Sequence, residues 1–155
     1  MPADAEEVIR LRQVMIDSVF TVDGTLPRTS VTDWQAESVP TVREHLADPD
    51  GHFAAFVVDH PERPGALAAL AVGTLEYRIG RAGNPHGVAG YLFSVATDPG
   101  TRRRGFSRAC VEALLDWFRE RGAGQVDLTA SPDAEPLYAS LGFVRKPDPY
   151  MQLKL

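Results

Sequence analysis

Residues 95–109 read Val95-Ala96-Thr97-Asp98-Pro99-Gly100-Thr101-Arg102-Arg103-Arg104-Gly105-Phe106-Ser107-Arg108-Ala109. A β-branched and aromatic run, Tyr91 to Thr97, breaks at Asp98-Pro99-Gly100. An arginine-rich loop follows and gives way to an amphipathic stretch that reaches Arg121. Strand, tight loop and helix start in that order aim unpaired backbone N–H groups and the positive end of a helix at an anion. Gly105 lets the backbone come close to the bound group. Arg102, Arg103, Arg104 and Arg108 surround it with positive charge. The segment predicts a phosphate or pyrophosphate site. A solvated arginine cluster is the competing reading, because charged loops are common.

Two other phosphate-binding patterns fail. No Gly-Lys-Ser/Thr occurs anywhere in the chain, which excludes a Walker A loop. Gly105 also lacks the spaced glycines of a dinucleotide fingerprint, although Gln125-Val126-Asp127 stands at about the right distance, some 20 residues on.

A second segment, Ser131-Pro132-Asp133-Ala134-Glu135-Pro136-Leu137-Tyr138-Ala139-Ser140-Leu141-Gly142-Phe143, predicts a short helix that ends at Gly142. Arg102-x-x-Gly105-x-Ser107 followed by Ala134-x-x-Leu137-Tyr138-x-x-Leu141-Gly142-Phe143 resembles the GNAT superfamily of N-acetyltransferases. The first motif is similar to that family's acyl-CoA pyrophosphate loop, with Ser107 in its small-residue slot. The second is similar to its C-terminal Leu-Tyr-x-x-Leu-Gly-Phe signature. The resemblance covers residues 89–155; the N-terminal half matches only in its order of elements. It implies an α/β fold with a mixed, mostly antiparallel central sheet and helices on both faces. A V-shaped splay is expected between the fourth and fifth strands. Family members usually open with a strand before the first helix, and Met1-Pro2-Ala3 leaves no room for one. The expectation is one N-acetyltransferase domain over residues 1–155, with the first edge strand missing or lying upstream.

Composition sets the bounds. A chain of 155 residues suits a single domain able to bury about two-thirds of its unfolded surface. Its 44% hydrophobic and 24% charged residues fit a soluble globular protein. No apolar run is long enough to span a membrane, and no signal-peptide pattern opens the chain. The one cysteine, Cys110, excludes an internal disulfide and fits a cytoplasmic setting, as a structural thiol. A net charge of −5 argues against nucleic acid as partner and is compatible with an amine-bearing acceptor. His45, His52, His60 and His86 stand apart, with no cysteine or carboxylate at metal-ligand spacing, so no metal is expected.

Periodicity predicts helices over 4–18 and 34–47, the second kinked or split at Pro40, with loop from 20 to 33. Strands are predicted over 52–58, 67–79 and 89–97, then a helix from near Gly105 to Arg121. Strands over 125–130 and 150–155 complete the pattern.

The resemblance implies acetyl-CoA as co-substrate and a primary amine of a small molecule as acceptor, attacked directly. No acyl-enzyme is expected, because no Ser or Cys stands in a nucleophile–base constellation. Val95, Ala96 and Thr97 would pair with the pantetheine arm as a strand does, and the Val95 N–H would polarise the thioester carbonyl. The amides from Arg103 to Ala109, passing Gly105, Phe106 and Ser107, would hold the pyrophosphate. Tyr138 stands where many relatives carry the general acid that protonates the CoA thiolate; packing against pantetheine is its alternative role. Ser131 takes the place of an asparagine that touches the cofactor. Many relatives carry a glutamate base six residues before the Pro99 position, and here that residue is Phe93. Glu76 acting through water and His86 are the substitutes, each with a plain solvated alternative.

Acceptor recognition in such proteins is built by residues corresponding to 20–34 and 80–88. Phe20, Arg28 and Trp34 are the candidate lining, with Tyr77 or Tyr91 as floor. The C-terminal third looks like a broad group of bacterial small-molecule acetyltransferases, for which a homodimer is a family expectation. Two rivals stay open: a non-catalytic acyl-CoA-binding or regulatory domain, and an acetyltransferase of protein N-termini or lysines.

Overall fold

The structure is a computed structural model and describes residues 1–20 and 34–155. Helix α1 (Ala5–Phe20) follows a 3-10 turn, Pro2–Asp4. Ala5, Val8 and Leu11 are buried along it, at the spacing that makes one apolar helix face. Helix α2 (Trp34–Ala47) runs unbroken through Pro40. The helix is therefore not split there. The ring of Pro40 stands on the exposed side, and Val42 and Leu46 on the other side pack against the core.

Strands β1 (Phe53–Asp59), β2 (Leu67–Tyr77) and β3 (Val88–Thr97) form an antiparallel meander. β3 then pairs in parallel with β4 (Val126–Leu128) after the long crossover helix α3 (Phe106–Glu120). The sheet order is β1-β2-β3-β4. A short helix, α4 (Glu135–Ser140), comes last.

The sheet separates two apolar clusters, so it is covered on both faces. Val8 and Leu11 of α1 pack on Leu70, Val72 and Ala96. On the other face Val111, Leu114 and Phe118 of α3 pack on Ala69, Ala71 and Leu92. Phe118 comes close to the sheet because Gly73 and Gly90 have no side chains there; a Cβ at Gly90 would stand 2.7 Å from its ring. Burying that ring contributes about 1.5–3 kcal/mol. At its C-terminus α3 closes as its sequence predicts: Gly122 adopts φ 78°, and the Ala123 N–H donates to the Phe118 carbonyl. Cys110 is buried in this core, and burial pushes its thiol up to about 11, as befits a structural residue.

Residues 144–155 form no strand, contrary to the expectation for 150–155, and Met151, Leu153 and Leu155 are exposed. Alternation marks which residues share a face but supplies no ladder partner. Pro147 and Pro149, just before, have no N–H to give one. Strand β4 is likewise shorter than its predicted 125–130. Among the described residues, no helix is long and apolar enough to cross a membrane.

Candidate functional site

One irregularity of β3 organises the site. Leu70 faces Ala96 and Val72 faces Phe93, so Ala71 stands opposite two residues, Ser94 and Val95. This is a β-bulge, and Ser94 carries a positive φ of 50° within it. Before the bulge the even-numbered peptide groups face β4. The Val88 carbonyl accepts from Gly124 at 3.0 Å, and the Gly90 N–H donates to Gln125 at 2.9 Å. After it the even-numbered groups face β2, where the Asp98 N–H donates to the Ala68 carbonyl at 2.7 Å. The bulge has reversed the alternation, so Val95 and Thr97 turn their peptide groups to the β4 side. Among the described residues no strand meets them there, because the β3–β4 pairing ends at Leu92 and Leu128. The sheet splays open at this point. Among the described strands the opening lies between the third and fourth, which are the fourth and fifth of the family's count.

The arginine loop begins at the end of that open edge. Asp98 is buried, and its carboxylate accepts from the Gly100 N–H at 3.2 Å, from Arg10 at 2.9 Å and from Arg63. Arg10 also reaches Glu7 and the Leu67 carbonyl, so α1 holds the loop and the start of β2 together. Burial acts to raise the Asp98 carboxyl, but the Gly100 N–H, Arg63 and Arg10 outweigh it and hold the group below the usual carboxylate range. Its stabilising effect is therefore complete above the unfolded carboxyl's pKa of about 3.9 and fades as pH falls through the folded value. Asp98→Ala is expected to cost about 2 kcal/mol, seen as a melting temperature lower by ~4–8 °C at neutral pH, with the deficit shrinking in acid. An unchanged melting temperature would show that the cluster does not brace the loop.

Beyond Asp98, Arg102, Arg103 and Arg104 are exposed and enter no ion pair among the described residues. Gly105 caps α3 with φ 78°, and no side chain caps the helix. The first helical hydrogen bond there is Ala109 N–H to the Gly105 carbonyl, so the N–H groups of Phe106, Ser107 and Arg108 have no partner within the helix. A Cβ on Gly105 would meet no protein atom within 4 Å. The hydroxyls of Thr97 and Ser107 are hydrogen-bonded, tying the open strand to the helix start. Arg108 turns the other way: it donates to the Ser140 hydroxyl at 2.6 Å and stands 3.5 Å from Glu112.

The second motif brings Tyr138 to the same place. Gly142, at φ 96°, ends α4, and the Phe143 N–H donates to the Tyr138 carbonyl at 3.0 Å. Phe143 thereby meets the Tyr138 ring edge to face, with centroids 5.8 Å apart. Tyr138 is buried in one apolar cluster with Val95 and Phe106. Burial pushes its phenol up to about 12, and its hydroxyl makes no hydrogen bond among the described residues. Ser131 starts the turn into α4, its carbonyl accepting from Ala134 and Glu135.

On the opposite face of the bulge, α1, α2 and the sheet line an open cavity of about 460 Å³, its lining including Arg12, Trp34, Glu37, Phe53, Phe93 and Ser94. Arg12 donates to the Ser94 hydroxyl. Phe93 thus faces this cavity, at the position where the resemblance looks for a glutamate. Trp34 lines it as expected, whereas Arg28 and the side chain of Phe20 lie outside the described residues. Of the remaining base and acceptor-site candidates, Tyr91 borders this cavity through Phe93 and the rest are elsewhere. Glu76 pairs with Arg78 at 2.6 Å and faces Ala89, five residues before Ser94, or ~17 Å along the strand. His86 is exposed in the loop before β3, farther still. Tyr77 is exposed and reaches His52, while Tyr91 stacks on Phe93. A second cavity, of about 500 Å³, lies around Glu44, His45 and His52, at the Thr74–Leu75 end of β2 and away from the bulge.

Arg12 and Glu37 were not among the candidates read from sequence. A signal existed for Arg12: it sits four residues after Val8, which places a charge on the buried face of α1.

The chain matches the acetyltransferase (GNAT) family over residues 19–143, and it belongs to that family. Solved structures share its fold. A protein of Clostridium acetobutylicum described as a predicted acetyltransferase, crystallised with acetyl-CoA, superposes with a TM-score of 0.77 at 19% identity, over 99% of this chain and 92% of that one. A GCN5-related N-acetyltransferase of Ralstonia eutropha gives 0.73 at 24% identity, over 99% and 94%. Glucosamine-6-phosphate N-acetyltransferase of Arabidopsis thaliana gives 0.72 at 22%, over 99% and 93%. No curated protein matches the chain at a significant level of sequence similarity.

Proposed function

We propose that residues 1–155 form a single N-acetyltransferase domain that moves the acetyl group of acetyl-CoA to the primary amine of a small molecule. Acetyl-CoA is the co-substrate that family membership brings. One observation carries the reading: an opened sheet edge at Val95–Thr97 runs directly into a loop of free amides at the start of α3. Such an edge suits an extended amide-bearing arm, and such a helix start suits a pyrophosphate.

In this account Val95 and Thr97 bind the pantetheine arm as a strand, with Ala96 between them. The amides from Arg103 to Arg108, past Gly105 and Phe106, hold the pyrophosphate, and Arg102, Arg103 and Arg104 add charge; the Ala109 N–H is taken by the Gly105 carbonyl. Ser107 supplies clearance and fixes Thr97. Arg108 braces α4, on which Tyr138 stands, and Ser131 lies beside the arm. The Val95 N–H polarises the thioester carbonyl. The amine nitrogen attacks the carbonyl carbon, the C–S bond breaks, and the Tyr138 hydroxyl gives its proton to the departing thiolate. The proton lost by the amine passes to water, since Phe93 offers no carboxylate. A cavity near 460 Å³ is sized for a small molecule.

Phe93 also favours a second reading, an acyl-CoA-binding domain without turnover. Release of free CoA thiol from acetyl-CoA, measured across a panel of primary amines, separates the two. Amine-dependent release with acetylated product in the mass spectrum is the expected result. Tight acetyl-CoA binding with no release from any amine would overturn the transferase reading.

A further inference from the structure

The geometry points to an α-amino carboxylate with an apolar side chain as the acetyl acceptor, its carboxylate bound by Arg12. This deepens the transferase reading above and rests on it.

Seven arginines, Arg10, Arg43, Arg63, Arg78, Arg108, Arg119 and Arg145, each stand against a carboxylate. Arg12 does not. Its one hydrogen-bond partner among the described residues is the neutral hydroxyl of Ser94, which leaves most of its donor fork unused. The cation is half-buried, on the packed side of α1, in a cavity whose lining joins Trp34, Phe53, Val72 and Phe93 with the polar Glu37, Ser38 and Thr41 of α2. A guanidinium in such surroundings costs desolvation free energy that a planar carboxylate offsets, and its fork fits that group.

Position narrows the ligand further. Arg12 is hydrogen-bonded to Ser94, the residue immediately before Val95, whose peptide group faces the opened sheet edge. The cation therefore stands beside the point where the acetyl group crosses to the acceptor. An anion held there must be close to the attacking amine within the acceptor molecule, which means on the same or the adjacent carbon. On the sheet side the remainder of the acceptor meets Phe53 and Phe93, with Trp34 across from them, and these rings suit an apolar side chain. Glu37, exposed on α2 and in no ion pair among the described residues, gives the cavity its opposite charge and suits a zwitterion over a simple anion.

The test compares L-phenylalanine and L-leucine with phenethylamine and isopentylamine, which lack only the carboxylate. Acetyl-CoA binding is followed by calorimetry and CoA thiol release by a chromogenic reagent, for wild type, Arg12→Gln, Arg12→Lys and Ser94→Ala. Wild type is expected to prefer the amino acids by about 30-fold in kcat/KM, the range of a charge-assisted contact. Arg12→Gln is expected to lose that preference, mainly through KM, with acetyl-CoA binding kept. Arg12→Lys should retain part of it. Ser94→Ala, which keeps the charge and removes its tether, should still prefer the amino acids. If Arg12→Gln does not fold, as its melting curve will show, the Lys variant carries the comparison, and an undiminished preference there overturns the proposal. Three further results would overturn it: preference for the plain amines, a preference that survives in Arg12→Gln, or no turnover of either amino acid while acetyl-CoA binds. Failure of wild type to bind acetyl-CoA would remove the transferase reading itself, and this proposal with it.

Discussion

Gly105→Trp is expected to weaken acetyl-CoA binding by at least about 100-fold, the loss of two or more phosphate contacts at roughly 1.5–3 kcal/mol each, while the protein stays folded. The expectation comes from what surrounds the residue. A Cβ there stands in open space, so a side chain leaves the loop without an immediate clash in the free protein. It would fill the space in front of the Phe106, Ser107 and Arg108 amides, where the pyrophosphate belongs. The positive φ of 78° adds a stability cost of about 1–2 kcal/mol for any side chain. Gly105→Ala separates the two effects: it should carry most of that strain and lose far less affinity. Equal binding by wild type and the Trp variant in calorimetry would place the anion elsewhere.

Tyr138→Phe should lower kcat by about 10–100-fold, near the lower end of general acid catalysis because a thiolate is a good leaving group. Acetyl-CoA affinity should change little. The hydroxyl makes no hydrogen bond among the described residues, so the melting temperature at neutral pH should hold as well. The pH dependence supplies a separate check. A general acid must be protonated, and burial pushes this phenol up to about 12. Rates should therefore hold through pH 10, where an ordinary tyrosine would have begun to fail. The same raised value makes the folded state lose stability as pH climbs from the unfolded value of about 10 through 12, a loss absent in the Phe variant. Wild-type and variant kcat values that agree would leave Tyr138 as packing only.

What could be read in the sequence was local chemistry. The order strand, Asp98-Pro99-Gly100, arginines, Gly105, helix is fixed by turn residues and helix-start rules, and it appears in the structure as β3, the loop and α3. Leu141-Gly142-Phe143 is equally local: glycine takes the left-handed turn and Phe143 folds back on Tyr138. The bulge at Ser94–Val95 was hidden because it is a property of two strands, and β3 alone carries no mark of its register with β2. Distances along the sheet were hidden for the same reason. Glu76 and His86 belong to the right strands and loops by order, yet lie at the end of β3 remote from the bulge. The apolar alternation near the C-terminus predicted a strand, but alternation without a neighbour does not make a ladder.

The central claim is that one acetyl-CoA binds along the opened edge of β3 and the start of α3. It is tested most directly by titrating acetyl-CoA into isotope-labelled protein and following the backbone amides by two-dimensional NMR. Saturable shifts are expected at Val95, Thr97 and Gly105 to Arg108, with Glu76 and His86 unmoved. Shifts confined to other parts of the molecule, or none at saturating acetyl-CoA, would contradict it.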